Sequence, residues 1–520
     1  MRITSISLAS MLVGIGSVAV WAGDNAEPAA PVATTGSVTG HVRFDGELPA
    51  PVHLHADHDP EVCGDVVDES ALIGSDGSLA NVVVVVQGIP DAGDTAAAAS
   101  VAAPILDQKK CTFVPHVQTV TQGATLAITS TDPVLHNIHA FLGKRTAFNL
   151  AIPVAGKVVK RVLDEPGILR IRCDSGHSWM SAHIAVVPHR FHATSGPDGN
   201  FEIRDVPPGE YTLRAWHERF GAIEQKVTVT AGASGAASLT FRELEPETSD
   251  EAPTVADEQE LGDALQVTRT EVELLEARRR ADERRHLARE GRPLFVKYCA
   301  TCHGKQGDGR GTSRRFTSTP PRDFTRGTYK FRMTPAGSPP TLEDLIRTIR
   351  VGVRGTHMPG WKDKLTRTQI ETLAYYLTTL SDVFWTGAAP PAPLVIPAEP
   401  AYDQASIARG EQLFARMQCA TCHGAKGEGD GPAAQALVDD WGSSIRPNNF
   451  TKGVFKGGCC GAVVFRAIST GLGGTPMPSF GGAMSDDERW DLAHYVLSLG
   501  GERPAVDYLL RDPAGRSTPP

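Results

Sequence analysis

The sequence predicts a multidomain protein in which an all-β region is followed by a connecting helix and two all-α domains. Short runs rich in Val, Ile and Thr, separated by Gly and Pro, occupy residues 37–241 and favour strands. A charged segment follows, with acidic residues first and arginines last, an order that suits the dipole of a helix. Residues 291–385 and 407–500 then repeat one order of features, which predicts two domains of one kind.

Composition limits the class of protein. The chain has 520 residues, enough for roughly three or four domains of about 150 residues. Its 60 acidic and 51 basic residues give a net charge of −9, which argues against nucleic-acid binding. A hydrophobic content of 41% supports buried cores, and the 52 Gly and 37 Pro are fewer than low-complexity chains carry. These values exclude a wholly disordered chain and a multi-span membrane protein.

Residues 1–22 have the features of a secretory signal peptide. A positive start is followed by the apolar stretch Ile3–Trp21, and small residues precede a cleavage site after about Ala22. An uncleaved membrane anchor is the alternative, because the apolar stretch approaches the length that spans a bilayer. Export predicts a periplasmic location, where cysteines form disulfides.

Residues 254–290 are predicted to form the connecting helix. Thr254 and Asp257 have the spacing of a capping box, and a cluster of arginines ends the segment. A solvated spacer is the simplest interpretation of such a charged helix, and a docking surface is the alternative.

Each repeat contains the motif C-x-x-C-H, the attachment sequence of c-type haem. Positions i, i+3 and i+4 lie on one side of a helical turn, so two thiols can bond to the porphyrin while the imidazole reaches the iron. A later Met in the setting Gly-Thr-x-Met-Pro can supply the second axial ligand. The candidate haem-binding residues are Cys299, Cys302, His303 and Met358 in the first repeat, and Cys419, Cys422, His423 and Met477 in the second.

Both repeats resemble class I cytochrome c domains, at 291–385 and 401–502, with a Pro-rich linker at 386–400. The resemblance implies two covalent c haems with His/Met axial ligation. A zinc or thioredoxin-like site is the alternative for one isolated C-x-x-C, and two copies that each carry a His disfavour it. His357 is an alternative ligand to Met358. Three methionines outside the Met-Pro setting are interpreted as core or surface residues: Met333, Met417 and Met484.

The β region contains a second candidate metal site. Blue copper takes two imidazoles, one thiolate and a weak axial Met. Residues 36–188 resemble cupredoxins, in which a His-Asn pair faces a later loop with Cys, His and Met. The resemblance implies a type 1 copper bound by His136, Cys173, His177 and Met180. A sandwich that has lost its metal is the alternative.

Residues 189–244 resemble the carboxypeptidase regulatory-like β-sandwich, through the segments Asp198–Ile203 and Val206–Leu213. This resemblance implies a packing module without chemistry of its own. Other histidines are interpreted as loop or structural residues, with a second metal left open: His53, His55, His58, His183, His189, His192 and His217.

Four cysteines remain after the haem and copper assignments. An even number of remaining cysteines in an exported protein favours disulfides. Cys63–Cys111 is a plausible bridge within the β region. The role of the adjacent Cys459 and Cys460 is not predicted.

The predicted centres indicate electron transfer. Haem iron with two axial protein ligands and four-ligand copper exchange electrons without binding a substrate. We therefore expect a periplasmic carrier between a donor, such as a quinol-oxidising complex or a dehydrogenase, and a terminal oxidase or reductase. It would reach the membrane only through a partner. The alternatives are a redox enzyme like copper nitrite reductase or a dihaem peroxidase, and a dihaem cytochrome with a metal-free β scaffold.

Overall fold

The computed structural model describes residues 35–50, 52–89, 103–243, 271–386, 391–458 and 460–501. The predicted signal peptide, the first part of the connecting helix and Cys459 lie outside these residues. Within them the predicted order of an all-β region followed by two helical domains is confirmed.

The strands of the described residues all precede the long helix. They are β1 (Gly36–Phe44), β2 (His53–Leu54), β3 (Val66–Val67), β4 (Val83–Gln87), β5 (Ile105–Lys109), β6 (Thr112–Val114), β7 (Val117–Thr121), β8 (Thr125–Ile128), β9 (His136–Leu142), β10 (Arg145–Ile152), β11 (Val159–Val162), β12 (Gly167–Arg172), β13 (Ser181–Val187), β14 (His192–Thr194), β15 (Asn200–Val206), β16 (Gly209–His217), β17 (Gly221–Val229) and β18 (Ser234–Phe241).

One short helix lies in the β region and the others form the two C-terminal domains. They are α1 (Pro60–Cys63), α2 (Glu271–Tyr298), α3 (Ala300–His303), α4 (Leu342–Val351), α5 (Arg367–Thr378), α6 (Gln404–Arg416), α7 (Ala420–His423), α8 (Gly461–Thr470) and α9 (Asp486–Ser498). Among the described residues, no helix is long and apolar enough to cross a bilayer.

The first sandwich contains the candidate copper ligands. Its sheets have the strand orders β10-β9-β12-β13-β7 and β11-β8-β5-β6. Alternate residues of these strands point inward, and Leu126, Ile138, Phe148 and Ile184 are completely or almost completely buried between the sheets. The predicted disulfide between Cys63 and Cys111 is confirmed.

The second sandwich differs from the predicted domain boundaries. Its sheets have the orders β15-β1-β18 and β14-β4-β16-β17, so β1 and β4 pair with strands from after residue 188. The predicted cupredoxin-like range 36–188 therefore includes two strands of the carboxypeptidase regulatory-like sandwich. The run of valines in β4 explains the difference, since Val84 contributes to the second core while Val83 and Val85 pack between the two sandwiches.

The connecting helix is also the first helix of the first helical domain. Helix α2 runs to Tyr298, past the predicted end at residue 290, and packs on α5. Helices α6 and α9 pack in the same way in the second domain. Glycine is required where each pair of helices crosses. A Cβ on Gly291 would lie 2.3 Å from Tyr376 Cβ, and a Cβ on Gly410 would lie 2.0 Å from Asp491 O.

The second helical domain is joined to the first sandwich by a short β-bridge. The Ala151 N–H donates to Ser479 O at 2.9 Å, and the Ser479 N–H donates to Asn149 O at 3.0 Å. These bonds attach the loop after Met477 to strand β10.

The two helical domains also pack on each other. Arg332 of the first domain donates to Thr470 O at 2.8 Å, and Arg326 donates to Asp440 O at 2.7 Å. In the predicted Pro-rich linker, the Leu394 N–H donates to a carbonyl of the first domain, and the Leu394 side chain packs on the core of the second. The described part of the linker therefore lies against both domains.

Candidate metal centres

The two C-x-x-C-H motifs form equivalent short helices, α3 and α7. His303 Nδ1 donates to Arg322 O at 2.9 Å, and His423 Nδ1 donates to Asn448 O at 3.3 Å. A histidine that donates through Nδ1 presents the lone pair of Nε2, as an iron ligand requires. The two motifs are thus held in the tautomer and orientation that haem attachment needs.

Each histidine lies in apolar surroundings. The ring of His303 stacks on Phe324 at 4.6 Å, and that of His423 stacks on Phe450 at 4.4 Å. Burial lowers the pKa of both imidazoles, that of His423 to about 4, so His423 is neutral at physiological pH. Burial also raises the pKa of Cys419 to about 12.

The predicted Met ligands lie on loops with one hydrogen-bond pattern. The Thr356 hydroxyl accepts from Met358 N at 3.2 Å and donates to Val353 O at 2.8 Å. Thr475 makes the equivalent contact with Met477 N at 3.3 Å, and its hydroxyl donates to a carbonyl at 2.7 Å. Both methionines are half-buried and the alternative ligand His357 is exposed. The repeated Gly-Thr-x-Met-Pro setting is therefore a structural unit, because the Thr side chain closes the loop that presents Met.

An apolar cavity in the second helical domain brings the predicted ligands together. Cys419, Cys422, His423 and Met477 all line it. This lining fits a porphyrin that is bonded to the two thiols and has an imidazole and a thioether as axial ligands. Other domains also contribute to the wall, through Leu135, Asp174 and Ser175 from the first sandwich and Lys330 and Phe331 from the first helical domain.

A polar cavity lies where the two helical domains meet. Cations outnumber acids in its wall, and the cations are Arg310, Arg314, Arg322, Arg326, Lys330, Arg446 and Lys456. Lys330, Arg446 and Lys456 also line the apolar cavity. Burial, with repulsion from Arg322 and Lys456, lowers the pKa of Lys330 to about 7. The wall thus favours anions, and the propionate groups of a haem in the apolar cavity fit it.

We expect Lys330→Met to lower the reduction potential of the second haem by about 40 mV, equivalent to about 1 kcal/mol for one electron. Below its pKa of about 7, Lys330 is a cation that stabilises the reduced haem more than the oxidised haem, so its removal favours oxidation in that pH range. Spectroelectrochemical titration measures the shift. Lys452→Met, at an exposed position of the second helical domain, is the control. An unchanged potential in K330M, or an equal shift in K452M, would contradict the expectation.

The predicted copper ligands meet in the first sandwich. Cys173 Sγ lies 3.9 Å from His136 Nδ1 and 3.8 Å from His177 Nδ1, and all three side chains are buried. The ligand atoms of these residues lie within 4.8 Å of one another. Met180 is buried at the end of the same loop, and its N–H donates to His177 O at 3.0 Å. The structure therefore brings together two imidazoles and one thiol as type 1 copper requires.

Two carboxylates orient the histidines. His136 Nε2 lies 3.0 Å from Asp132 Oδ2, and His177 Nε2 lies 3.1 Å from Asp59 Oδ2. Each imidazole is thus held through Nε2 and presents Nδ1 to Cys173. Sequence reasoning missed both acids, because their role depends on loops that approach the histidines only in the folded protein.

Asn137 fixes the loop that begins with Cys173. Its side-chain oxygen accepts from Asp174 N at 2.7 Å, from Ser175 Oγ at 3.1 Å and from Cys173 Sγ at 3.4 Å. Burial alone would raise the pKa of the Cys173 thiol, but His136 and His177 outweigh it and lower the pKa to about 6. The site therefore favours the thiolate, the form that binds copper.

The candidate copper and second haem sites share one loop. Asp174 and Ser175 directly follow Cys173, and both line the apolar cavity that Cys422 and His423 also line. His139 donates to Asp174 through Nδ1 at 2.6 Å, and its Nε2 lies 3.6 Å from Asp440 Oδ1 of the second helical domain. The boundary between the two sites is thus made of residues adjacent to the ligands.

Family models match three parts of the chain. Residues 407–500 match cytochrome c, and residues 286–377 match cytochrome c oxidase of the cbb3 type, subunit III. Residues 170–242 match the carboxypeptidase regulatory-like domain.

Two solved structures are also similar to parts of the chain. One is a reducing HAO-like protein complex of Kuenenia stuttgartiensis, which is 44% identical. The match covers 40% of this chain and 95% of the matched chain, with a TM-score of 0.39. The other is a purple cupredoxin from Nitrosopumilus maritimus, which is 21% identical. The match covers 16% of this chain and 98% of the cupredoxin chain, with a TM-score of 0.15.

Curated relatives include two cbb3-type cytochrome c oxidase subunits, FixP of Azorhizobium caulinodans and CcoP of an Azospirillum species. Both are 28% identical over 41% of this chain, which spans 59% and 62% of their respective lengths. Cytochrome c6 of Diacronema lutheri is 34% identical over 95 residues, which are 18% of this chain and 98% of that protein. With nearly a whole cytochrome c6 matched and a family model on each helical repeat, the chain belongs to the cytochrome c family.

Proposed function

We propose that the protein is a periplasmic electron relay with two His/Met-ligated haems and one type 1 copper. The first haem would be bound by Cys299, Cys302, His303 and Met358, and the second by Cys419, Cys422, His423 and Met477. His136, Cys173, His177 and Met180 would bind the copper. The cytochrome c family membership supports the haems, and the buried Cys173 with two Nδ1 atoms supports the copper.

The shared loop carries the proposal. Cys173 is a candidate copper ligand, and the next two residues line the cavity of the second haem. Burial raises the pKa of Cys422 to about 11, and the charges of Cys173 and Asp174 raise it as well, so these groups are close enough to interact. An electron can therefore move between copper and the second haem without leaving the chain.

Hydrogen bonds hold both haem-binding loops of the second helical domain against the copper-binding sandwich. Gln418, which precedes Cys419, accepts from Leu135 N at 2.9 Å and donates to Pro153 O at 3.0 Å. On the Met477 side, Ser479 bridges to β10. Such contacts keep the distance between the centres constant, which a relay requires.

The residues around each centre support electron exchange rather than substrate turnover. Bound haem and copper supply the one-electron chemistry. The chain holds the imidazoles through carboxylates or carbonyls, keeps the thiol buried and surrounds the second haem with apolar side chains. Ligands fixed in this way need little rearrangement when the metal changes its oxidation state. The polar cavity between the helical domains shares Lys330, Arg446 and Lys456 with the apolar cavity, and these cations would hold carboxylate groups of the second haem.

The proposed partners are respiratory redox proteins. The similarity to cbb3-type oxidase subunits supports a terminal oxidase on one side of the relay. A quinol-oxidising complex or a dehydrogenase would act on the other side.

Rapid reduction of the purified, metal-loaded protein tests the proposal. We expect low-spin haems and a copper signal of small hyperfine splitting in paramagnetic resonance. After reduction by less than one electron per chain, the copper and haem absorbances should equilibrate at a rate that does not depend on protein concentration. Carbon monoxide binding at both ferrous haems, steady turnover of nitrite or peroxide, or equilibration only between separate molecules would overturn the relay.

A further inference from the structure

A second cluster of metal-binding side chains lies where the two sandwiches meet. His116 directly precedes β7, His183 lies on β13, and Glu218 lies in the turn between β16 and β17. His116 and His183 are 7% and 5% exposed, and the Glu218 side chain is 11% exposed. None of these residues belongs to the haem or copper sites described above. The cluster forms only when the second sandwich packs on the first, because Glu218 comes from a different sheet.

The backbone places the two histidines side by side. Strands β7 and β13 are parallel neighbours, and the His183 N–H donates to His116 O at 2.8 Å. Glu218 contacts His116 Nε2 with Oε1, and its Oε2 lies 3.5 Å from His183 Nδ1. The ligand atoms of the three residues lie within 4.8 Å of one another. One carboxylate therefore faces two ring nitrogens at a spacing that one metal ion can bridge.

A second carboxylate lies near His116. Glu69 Oε2 lies 3.9 Å from His116 Nδ1, on the opposite edge of the ring from Glu218. Glu69 is too far from His116 for a hydrogen bond and is not part of the ligand set, which comprises His116, His183 and Glu218.

We propose that His116, His183 and Glu218 bind a zinc ion that joins the two sandwiches. Two imidazoles and one carboxylate, with a water molecule in the fourth position, form a common tetrahedral zinc site. The two nitrogens make the set unsuitable for calcium or magnesium, which take oxygen ligands. The ion would neutralise Glu218 in its buried position and link strands that the chain brings together from three separate segments.

Zinc titration of the full-length protein, loaded with haem and copper, tests the site. With zinc alone against a chromophoric zinc indicator, we expect one ion per chain in the wild type. The affinity should fall at least about tenfold in Glu218→Gln and His116→Gln. Glu224→Gln is the matched control, because Glu224 is an exposed residue of the same hairpin that pairs with Arg214 and lies outside the cluster. Zinc should raise the melting temperature of the wild type and E224Q, and leave that of E218Q unchanged.

X-ray absorption of the zinc-loaded wild type tests the proposal without any variant. We expect nitrogen and oxygen neighbours at about 2.0–2.2 Å and no sulfur at about 2.3 Å, which distinguishes this cluster from the Cys173 site. A sulfur neighbour, equal zinc affinity in E218Q and wild type, or failure of the wild type to bind zinc would overturn the proposal. In the last case the residues form a metal-free ion pair between the sandwiches.

Discussion

We expect replacement of Met477 by His to lower the reduction potential of the second haem by about 0.2 V and to leave the potential of the first haem unchanged. Axial ligands set haem potentials over a range of about 0.8 V, and Met/His ligation lies toward its upper part because the thioether donates less charge to iron. The loop can hold the new side chain, since Thr475 contacts the backbone of residue 477 and not its side chain. Potentiometric titration of the separate haem absorbances measures the change.

Met484→Leu is the control for this replacement. Met484 is 5% exposed in the core of the same domain, so its loss tests whether any methionine of the domain sets the potential. We expect M484L to keep both the potential and the near-infrared sulfur-to-iron band, and M477H to lose the band from one haem. Loss of the band in M484L, or its retention in full in M477H, would show that Met477 is not the ligand.

We expect replacement of Cys173 by Ser to remove the strong visible absorption of the proposed copper centre and to weaken copper binding at least about 100-fold. The hydroxyl is not ionised at neutral pH, whereas His136 and His177 favour the thiolate of Cys173. The haem spectra should be unchanged, because the cavity residues Asp174 and Ser175 remain. Optical titration with copper, followed by rapid reduction, measures the loss of both copper binding and copper-to-haem transfer.

Ser178→Ala is the control for the copper prediction. Ser178 lies in the same loop but is exposed, so its replacement changes the loop without touching the ligand set. S178A should bind copper and transfer electrons like the wild type. Copper binding of wild-type strength in C173S would exclude Cys173 as a copper ligand. The first sandwich would then be interpreted as a scaffold without a type 1 copper site.

The parts of each site that are close in sequence could be predicted from the sequence. The C-x-x-C-H motif lies within one helical turn, and the Thr-x-Met loop closes within a few residues. The spacing of these residues in the sequence is therefore enough to predict how they are arranged in space. Cys173 and His177 are likewise neighbours on one loop. Four cysteines remained after the candidate metal ligands were set aside, and Cys63–Cys111 was a plausible bridge among them that the structure confirms.

The parts that depend on packing between distant segments could not be predicted. Strand β4 is a run of valines, and both of its faces are buried, so its pattern does not indicate which sandwich it joins. Asp59 meets His177 only because α1 lies over the copper loop. Glu218 reaches His116 across two sandwiches, and neither residue has a neighbouring motif that would identify it.

The β-bridge between Ser479 and strand β10 has a kinetic consequence. Separate copper and haem proteins must find each other by diffusion, and opposite charges on their surfaces make that encounter faster at low salt and slower at high salt. In the proposed relay, the candidate copper sandwich and the second helical domain are already docked through backbone hydrogen bonds, and the effective concentration of the two centres is set by the fold. We therefore expect electron transfer between the two proposed centres to be insensitive to ionic strength, with salt acting only on the exchange with outside proteins.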